Sequence, residues 1–336
     1  MYKRVGVHFI ELNRMKTIKT KRHIFKFYIL IIFAFVFFSA MGAIMLHTTF
    51  EVFQKEQMEQ KDYLLPVVPT LLFFMAFYSV YAYWKNSPTI IIDPLRKSIS
   101  FGSETYYVND IEKVNLTGKM PFRYIIKFPM EGASILFKNG VERFIYDDMY
   151  SNTWQVKKFI DQVVIKKTEV TETDAKPINK DSLRFEKEEL FKGNPLTSLR
   201  GISLWGLIGF FVGMMIFKMK TPPLGFLIFF FGFSTFWFVL HSWMMHYFGL
   251  TKEFFVIRNH NYFWMQKIYR IDELREVVYE SQGQQPNCLR IISKDFKNKL
   301  YPAGTLRDKT WLYLKERLEQ KGVTVRNQSI YDKNAA

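Results

Sequence analysis

One cysteine, Cys288, is all that the 336 residues carry. It excludes an intrachain disulfide and any CxxC redox or zinc motif, and fits a reducing compartment. No GxxxxGKS/T or GxGxxG phosphate loop occurs, nor HExxH, nor the GxSxG elbow of a serine nucleophile. Nucleotide binding through such loops, zincin chemistry and hydrolase chemistry therefore find no support. Histidine is scarce, at six residues. The long apolar runs hold no carboxylate, so they lack the acid that an intramembrane proton or ion pathway normally pairs with a histidine.

Aromatic residues are abundant: 35 Phe, 18 Tyr and 7 Trp. Together with the aliphatic residues they segregate into four blocks: Phe27 to Thr48, Leu64 to Trp84, Gly201 to Phe217 and Leu224 to Phe248. At about 1.5 Å per residue, blocks of this length approach or exceed the roughly 30 Å of a hydrocarbon layer. Pro66 and Pro69 fall at the start of the second block, where a missing amide hydrogen does least harm. The short connections make two antiparallel hairpins.

Orientation follows from the basic residues. Met1 to Lys26 holds eight Lys or Arg against one Glu, whereas Glu51 to Tyr63 holds two Lys against four acids. The amino terminus is therefore expected in the cytoplasm, and four crossings return the long polar segments and the carboxy terminus to the same side. The net charge of +16 collects beside the membrane exits, where topology and anionic lipid account for it; nucleic acid is not an expected partner.

The two halves repeat an order of motifs. Tyr106-Tyr107-Val108-Asn109-Asp110-Ile111-Glu112-Lys113-Val114 lines up without gaps on Tyr269-Arg270-Ile271-Asp272-Glu273-Leu274-Arg275-Glu276-Val277. An acidic turn between two strands explains the pattern. Before it, Thr89 to Ile92 and Phe254 to Ile257 read as first strands. After it, Asn139-Gly140 reads as a two-residue hairpin turn with positive backbone angles, answered by a longer turn from Asp295 to Asn298. Ser151-Asn152-Thr153-Trp154 and Asp308-Lys309-Thr310-Trp311 then read as helix caps with Trp at the third helical position, opening amphipathic helices.

Strands, a hairpin and a closing helix after two spans resemble the small bacterial pleckstrin-homology-like (PH-like) domains that follow a two-helix membrane anchor. The resemblance implies a curved sheet plugged by its last helix, no cofactor and no shared catalytic residues, and it carries over no site. The expected fold is a membrane α + β protein: four transmembrane helices as two hairpins, each followed by a cytoplasmic PH-like β-sheet domain closed by a C-terminal helix. In segments, this gives a basic tail over 1–26, hairpins over 27–84 and 199–248, domains over 85–165 and 249–325, a linker over 166–198 and a tail over 326–336. Within the linker, Asp181 to Phe191 reads as a short helix with Leu183, Leu190 and Phe191 on its apolar side. His241 and His246 read as residues of the last turns of the fourth span, five apart and so not converging on a metal. His260 reads as part of a turn.

With no catalytic, metal or cofactor constellation, the expected function is a non-catalytic membrane scaffold or regulatory binding protein whose cytoplasmic domains engage a protein partner. The alternative is an immunity-type membrane protein protecting against a membrane-acting toxin, and third comes a transporter component. Expected partners are the lipid bilayer and an unidentified protein, with self-association also open. Long polar loops on a rigid sheet are where recognition concentrates. That directs attention to the Ser281 to Asn287 loop, with Gln282, Gln284 and Gln285, and to the basic residues Arg270, Arg290, Lys294 and Lys297 of the second domain, whose segment from Thr251 onward nets +6.

Overall fold

The computed structural model describes residues 17–54, 60–168, 187–218, 221–283 and 285–331. The chain divides into two compact units, Met1–Thr171 and Glu172–Ala336. Four helical stretches are long and apolar enough to cross a membrane: Ile24–Phe53, Asp62–Asn86, Leu199–Lys218 and Leu224–Trp243. Among the described residues, several small sheets and two shorter helices form most of the remaining regular structure.

In the first unit, strand β1 (Ile18–Lys19) precedes helices α1 (Leu30–Phe53) and α2 (Val67–Asn86). Along this pair Phe27 lies beside Trp84, Phe35 beside Phe77 and Gly42 beside Phe73. Strands β2 (Ile90–Asp93), β3 (Ser98–Phe101), β4 (Glu104–Tyr107) and β5 (Ile111–Asn115) follow. Next come β6 (Lys119–Arg123), β7 (Lys127–Phe137), β8 (Glu142–Tyr146) and helix α3 (Thr153–Ile160). The second unit runs β9 (Glu189–Phe191), helices α4 (Leu199–Lys218) and α5 (Leu224–Trp243), then β10 (His246–Leu250), β11 (Phe254–Asn259) and β12 (Gln266–Arg270). It continues with β13 (Leu274–Glu280), β14 (Cys288–Ser293), β15 (Asn298–Pro302), helix α6 (Asp308–Gln320) and β16 (Thr324–Asn327).

Both units splice their membrane helices into a sheet. The order β1-β2-β3-β4 in the first unit is matched by β9-β10-β11-β12 in the second. In each, the outermost strand comes from before the two apolar helices and the other three from after them. Ile18–Lys19 thus lies inside the segment read as a basic tail, yet pairs with β2, Ile18 opposite Ile92. Glu189–Phe191 lies inside the segment read as linker and helix, yet is a strand, with Phe191 opposite Phe248. Pairing with β10 satisfies the backbone groups on one edge of the strand and buries Phe191, which outweighs any local helical preference. The remainder of that expected helix, 181–186, lies outside the described residues.

Shared local geometry extends further. In both units a short 3-10 turn, Val108–Asp110 or Ile271–Glu273, links the sheet to the next strand, in the register of the sequence match. Lys138 N–H donates to Asp110 O and Lys294 N–H to Glu273 O, each at 2.8 Å. The Asn139-Gly140 turn departs from expectation. Only Gly140 has positive φ, at 79°, and its N–H reaches Phe137 O, so the turn is formed by Lys138-Asn139 with a left-handed Gly after it. The 293–297 turn has the same length and hydrogen bonds, with Phe296 at φ 63° in the place of Gly140. Phe296 is buried beneath Arg275, whose guanidinium lies 4.5 Å from the ring centre.

Three other expectations are corrected. The fourth apolar helix ends at Trp243, and His246–Leu250 is a strand; a continuous apolar run does not distinguish a helix from a buried strand. As a result the counterpart of β2 is β10, and Phe254–Asn259 corresponds to β3. The closing helices begin at Thr153 and Asp308, so Trp154 and Trp311 occupy different helical positions. Trp311 is fully buried between Phe248 and Tyr279, at centroid distances of 5.6 and 4.7 Å, whereas in α3 the fourth helical position holds Val156 and Trp154 is half-buried.

Candidate functional site

The strands of the second unit run between two ends of different character. At one end the sheet meets α5. Asn259 Nδ2 donates to Ser242 O at 2.7 Å, Asn261 Nδ2 to Ser242 Oγ at 2.7 Å, and Gly304 N–H to Met244 O at 2.8 Å. His246 belongs to this junction. Its Nδ1 lies 2.9 Å from Pro302 O, an acceptor only, so that nitrogen carries the proton. Burial holds the His246 pKa below its usual value. Burial, with Lys192 and His246 nearby, takes His260 down to about 4. Both are neutral at physiological pH. Among the described residues, no group of three or more His, Cys, Asp or Glu is placed to hold a metal ion.

The sequence-selected residues do not converge. The 281–287 loop lies at the α5 end: Ala303 N–H donates to Asn287 O, and Pro286 packs against Gly304. Within it, Gln282 Nε2 donates to Glu280 Oε1 at 3.2 Å and Gln285 N–H to Gln282 O at 3.2 Å. Gln284 lies outside the described residues. Arg290, at the middle of β14, is fully buried, its Nη2 2.7 Å and Nε 3.0 Å from Glu280 Oε1. A guanidinium with no exposure offers nothing to a partner, so Arg290 is a core residue rather than the surface contact its charge suggested. Arg270, Lys294 and Lys297 lie at the opposite end of the ladder, some six residues or about 20 Å from the loop. All three are exposed. Arg270 Nε lies 3.3 Å from Asp272 Oδ1, and Lys297 Nζ 2.8 Å from Asp295 Oδ2.

Sequence reasoning missed the neighbour of that basic end. An open groove of about 440 Å³ is lined by Lys187, Glu188, Glu189, Lys252, Arg317 and Lys321, with Leu250 and Thr251 at its floor. Its carboxylates are engaged from within: Arg258 Nη1 lies 2.5 Å from Glu188 Oε1, and Glu189 accepts from Tyr313 Oη and from Arg317 Nε. Burial acts to raise the Glu189 pKa, but the hydrogen bonds from Tyr313 and Arg317 outweigh it and the net shift is downward. Lys187, Lys252 and Lys321 form no ion pair among the described residues, so the groove presents a surplus of positive charge. No signal could have assembled it, because Lys187 and Lys252 stand on opposite sides of the α4–α5 pair in sequence and meet only when β9 pairs with β10.

The architecture defines an integral membrane protein of α + β class, with four apolar helices and several small antiparallel sheets. Comparison with protein-family models and with curated proteins finds no match to this chain.

Proposed function

We propose that the protein is a non-catalytic membrane scaffold or regulatory binding protein: two membrane hairpins, each carrying a PH-like domain on the cytoplasmic side, with the second domain engaging an acidic protein partner. The observation that carries this reading is the position of the exposed cations. Arg270, Lys294, Lys297 and Lys252, with the half-buried Lys321 beside them, gather at the end of the second unit away from α5, while the carboxylates of the groove are paired internally. Basic residues serving only to meet anionic lipid belong beside the membrane exits. Cations about 20 Å along the strands from the helix end are beyond one Debye length of the headgroups and face bulk solvent, where a protein surface reaches them. Splicing a membrane helix pair into each sheet supports a scaffold, because it ties the domain directly to its anchor.

Crosslinking in native membranes tests this. Reversing Arg270, Lys294 and Lys297 to Glu in the full chain is expected to leave insertion and thermal stability intact and to abolish a crosslinked partner. The matched reversal of Lys138 in the first unit retains it. Retention of every crosslink in the triple variant overturns the assignment.

A further inference from the structure

The turn joining β6 to β7 is pinned along a membrane helix. Asn86 Nδ2, in the last turn of α2, donates to Arg123 O at 2.5 Å, and Tyr78 Oη donates to Tyr124 O at 3.2 Å. The Tyr124 hydroxyl shares a 2.5 Å hydrogen bond with Ser79 Oγ. Seven residues separate Ser79 from Asn86, about 10 Å along a helix axis. The turn therefore climbs α2 from its end into the band that holds Tyr78, Tyr81, Tyr83 and Trp84, the composition of a membrane–water interface. At its tip Ile125 and Ile126 are 56% and 72% exposed. Arg123 and Lys127 face each other across its base.

The second unit reaches the same arrangement through a different connection, that between β11 and β12. Asn259 and Asn261 bind Ser242, and one helical turn deeper Tyr262 Oη donates to Val239 O at 3.1 Å. Beyond Tyr262, Phe263 is 86% and Trp264 69% exposed, with Lys267 following in β12. The corresponding connection of the first unit, between β3 and β4, is the short turn at Gly102, so the two tips are not copies of one another. Consecutive bulky apolar residues at the tip of a turn run against the polar chemistry of turns in water. Both occurrences are fastened by a tyrosine to the flank of the second apolar helix of their own unit.

We infer that each unit is seated on the bilayer by an apolar tip inserted into the lipid interface: Ile125-Ile126 beside α2 and Phe263-Trp264 beside α5. The ligand is the lipid surface itself. Isoleucine, phenylalanine and tryptophan enter the boundary between acyl chains and headgroups, while Arg123, Lys127 and Lys267 meet anionic headgroups. The height of the tips selects lipid over a soluble partner, because the helix flank at Ser79 and Val239 lies inside the interfacial band that a soluble protein does not enter. Seating requires only that α2 and α5 cross the bilayer, not the partner proposed above.

Site-directed fluorescence on the full chain tests it. In a C288S background, single cysteines are placed by I126C, by F263C and, as a reference at the β7–β8 turn, by N139C. Each variant carries a bimane label in vesicles of phosphatidylcholine and phosphatidylglycerol, with iodide present on both sides or with nitroxide at a shallow acyl position. The tip labels are expected to lose iodide quenching and to gain nitroxide quenching, whereas the Asn139 label does the reverse. Iodide quenching of both tips equal to that at Asn139 overturns seating. Shielding of the tips from both quenchers also overturns it, since protein, a second copy included, then covers them.

Discussion

Arg290 and Glu280 meet diagonally across neighbouring strands, Nη2 and Oε1 2.7 Å apart and their side chains 0% and 2% exposed. The pair sits in the ladder between β13 and β14, and Arg290 also reaches Asn298 Oδ1 at 3.3 Å. Taking one partner away leaves a buried charge without its counterpart. R290M is therefore expected to destabilise the second unit by about 3–5 kcal/mol, and R290M combined with E280M to recover most of that loss. Thermal unfolding in detergent micelles measures both. A single variant as stable as the parent would place the pair on the surface.

Gly193 sits where the chain leaves β9 for α4, and a Cβ there would fall 1.7 Å from Thr305 O. The obstacle is backbone, which cannot swing aside as a side chain can. G193A is expected to cost on the order of 3 kcal/mol or more and to loosen β9 from β10. Faster proteolysis near Glu189, with α4 and α5 still inserted, is the readout.

His246 and His260 give the second unit a pH dependence. Both have folded-state pKa values below the ordinary 6.5, His260 at about 4, so the unfolded chain binds protons more readily than the folded one. Their contribution is fully present above the unfolded value and is lost as pH falls from about 6.5 towards 4. His260 is partly exposed, and after screening its share is on the order of 1–2 kcal/mol. The melting temperature is expected to fall by several degrees between pH 7 and pH 4.5, and H246Q combined with H260Q to flatten that slope.

Cys288 is fully buried, with Sγ 3.1 Å from Pro286 O. It resists thiol reagents in the folded chain whichever side of the membrane it occupies, so its protection carries no topological information. Orientation is read instead from C288S combined with K294C, at an exposed position. A membrane-impermeant maleimide is expected to label Lys294→Cys only after permeabilisation; labelling in intact cells places the second unit outside.

Much of the framework is legible in sequence because its physics is local. Four apolar runs announce four apolar helices, since length and hydropathy suffice. The Tyr106 and Tyr269 stretches announce matching 3-10 turns at the correct residues, because an acidic turn between two strands is a short-range pattern. Even the apolar tips left a trace, in Ile125-Ile126 between Arg123 and Lys127 and in Phe263-Trp264 before Lys267. An apolar pair in a turn is meaningful, however, only once the turn is known to lie against a membrane helix.

Composition and periodicity alone determined that this chain holds four runs long and apolar enough to cross a bilayer, strand-rich segments between and after them, and a basic segment after the fourth. Tertiary structure alone decided which strands complete each sheet, which cation is buried and which cations share a face. Ile18 and Ile92 are separated in sequence by the first pair of apolar helices, Phe191 and Phe248 by the second. Arg290 and Lys294 differ by four residues in β14 and its turn, yet one is sealed in the core and the other faces water. Helix formation and partition into lipid are settled by neighbours within a few turns. Strand pairing and side-chain burial depend on backbone partners brought together across long loops of chain, whose closure only the whole fold compensates.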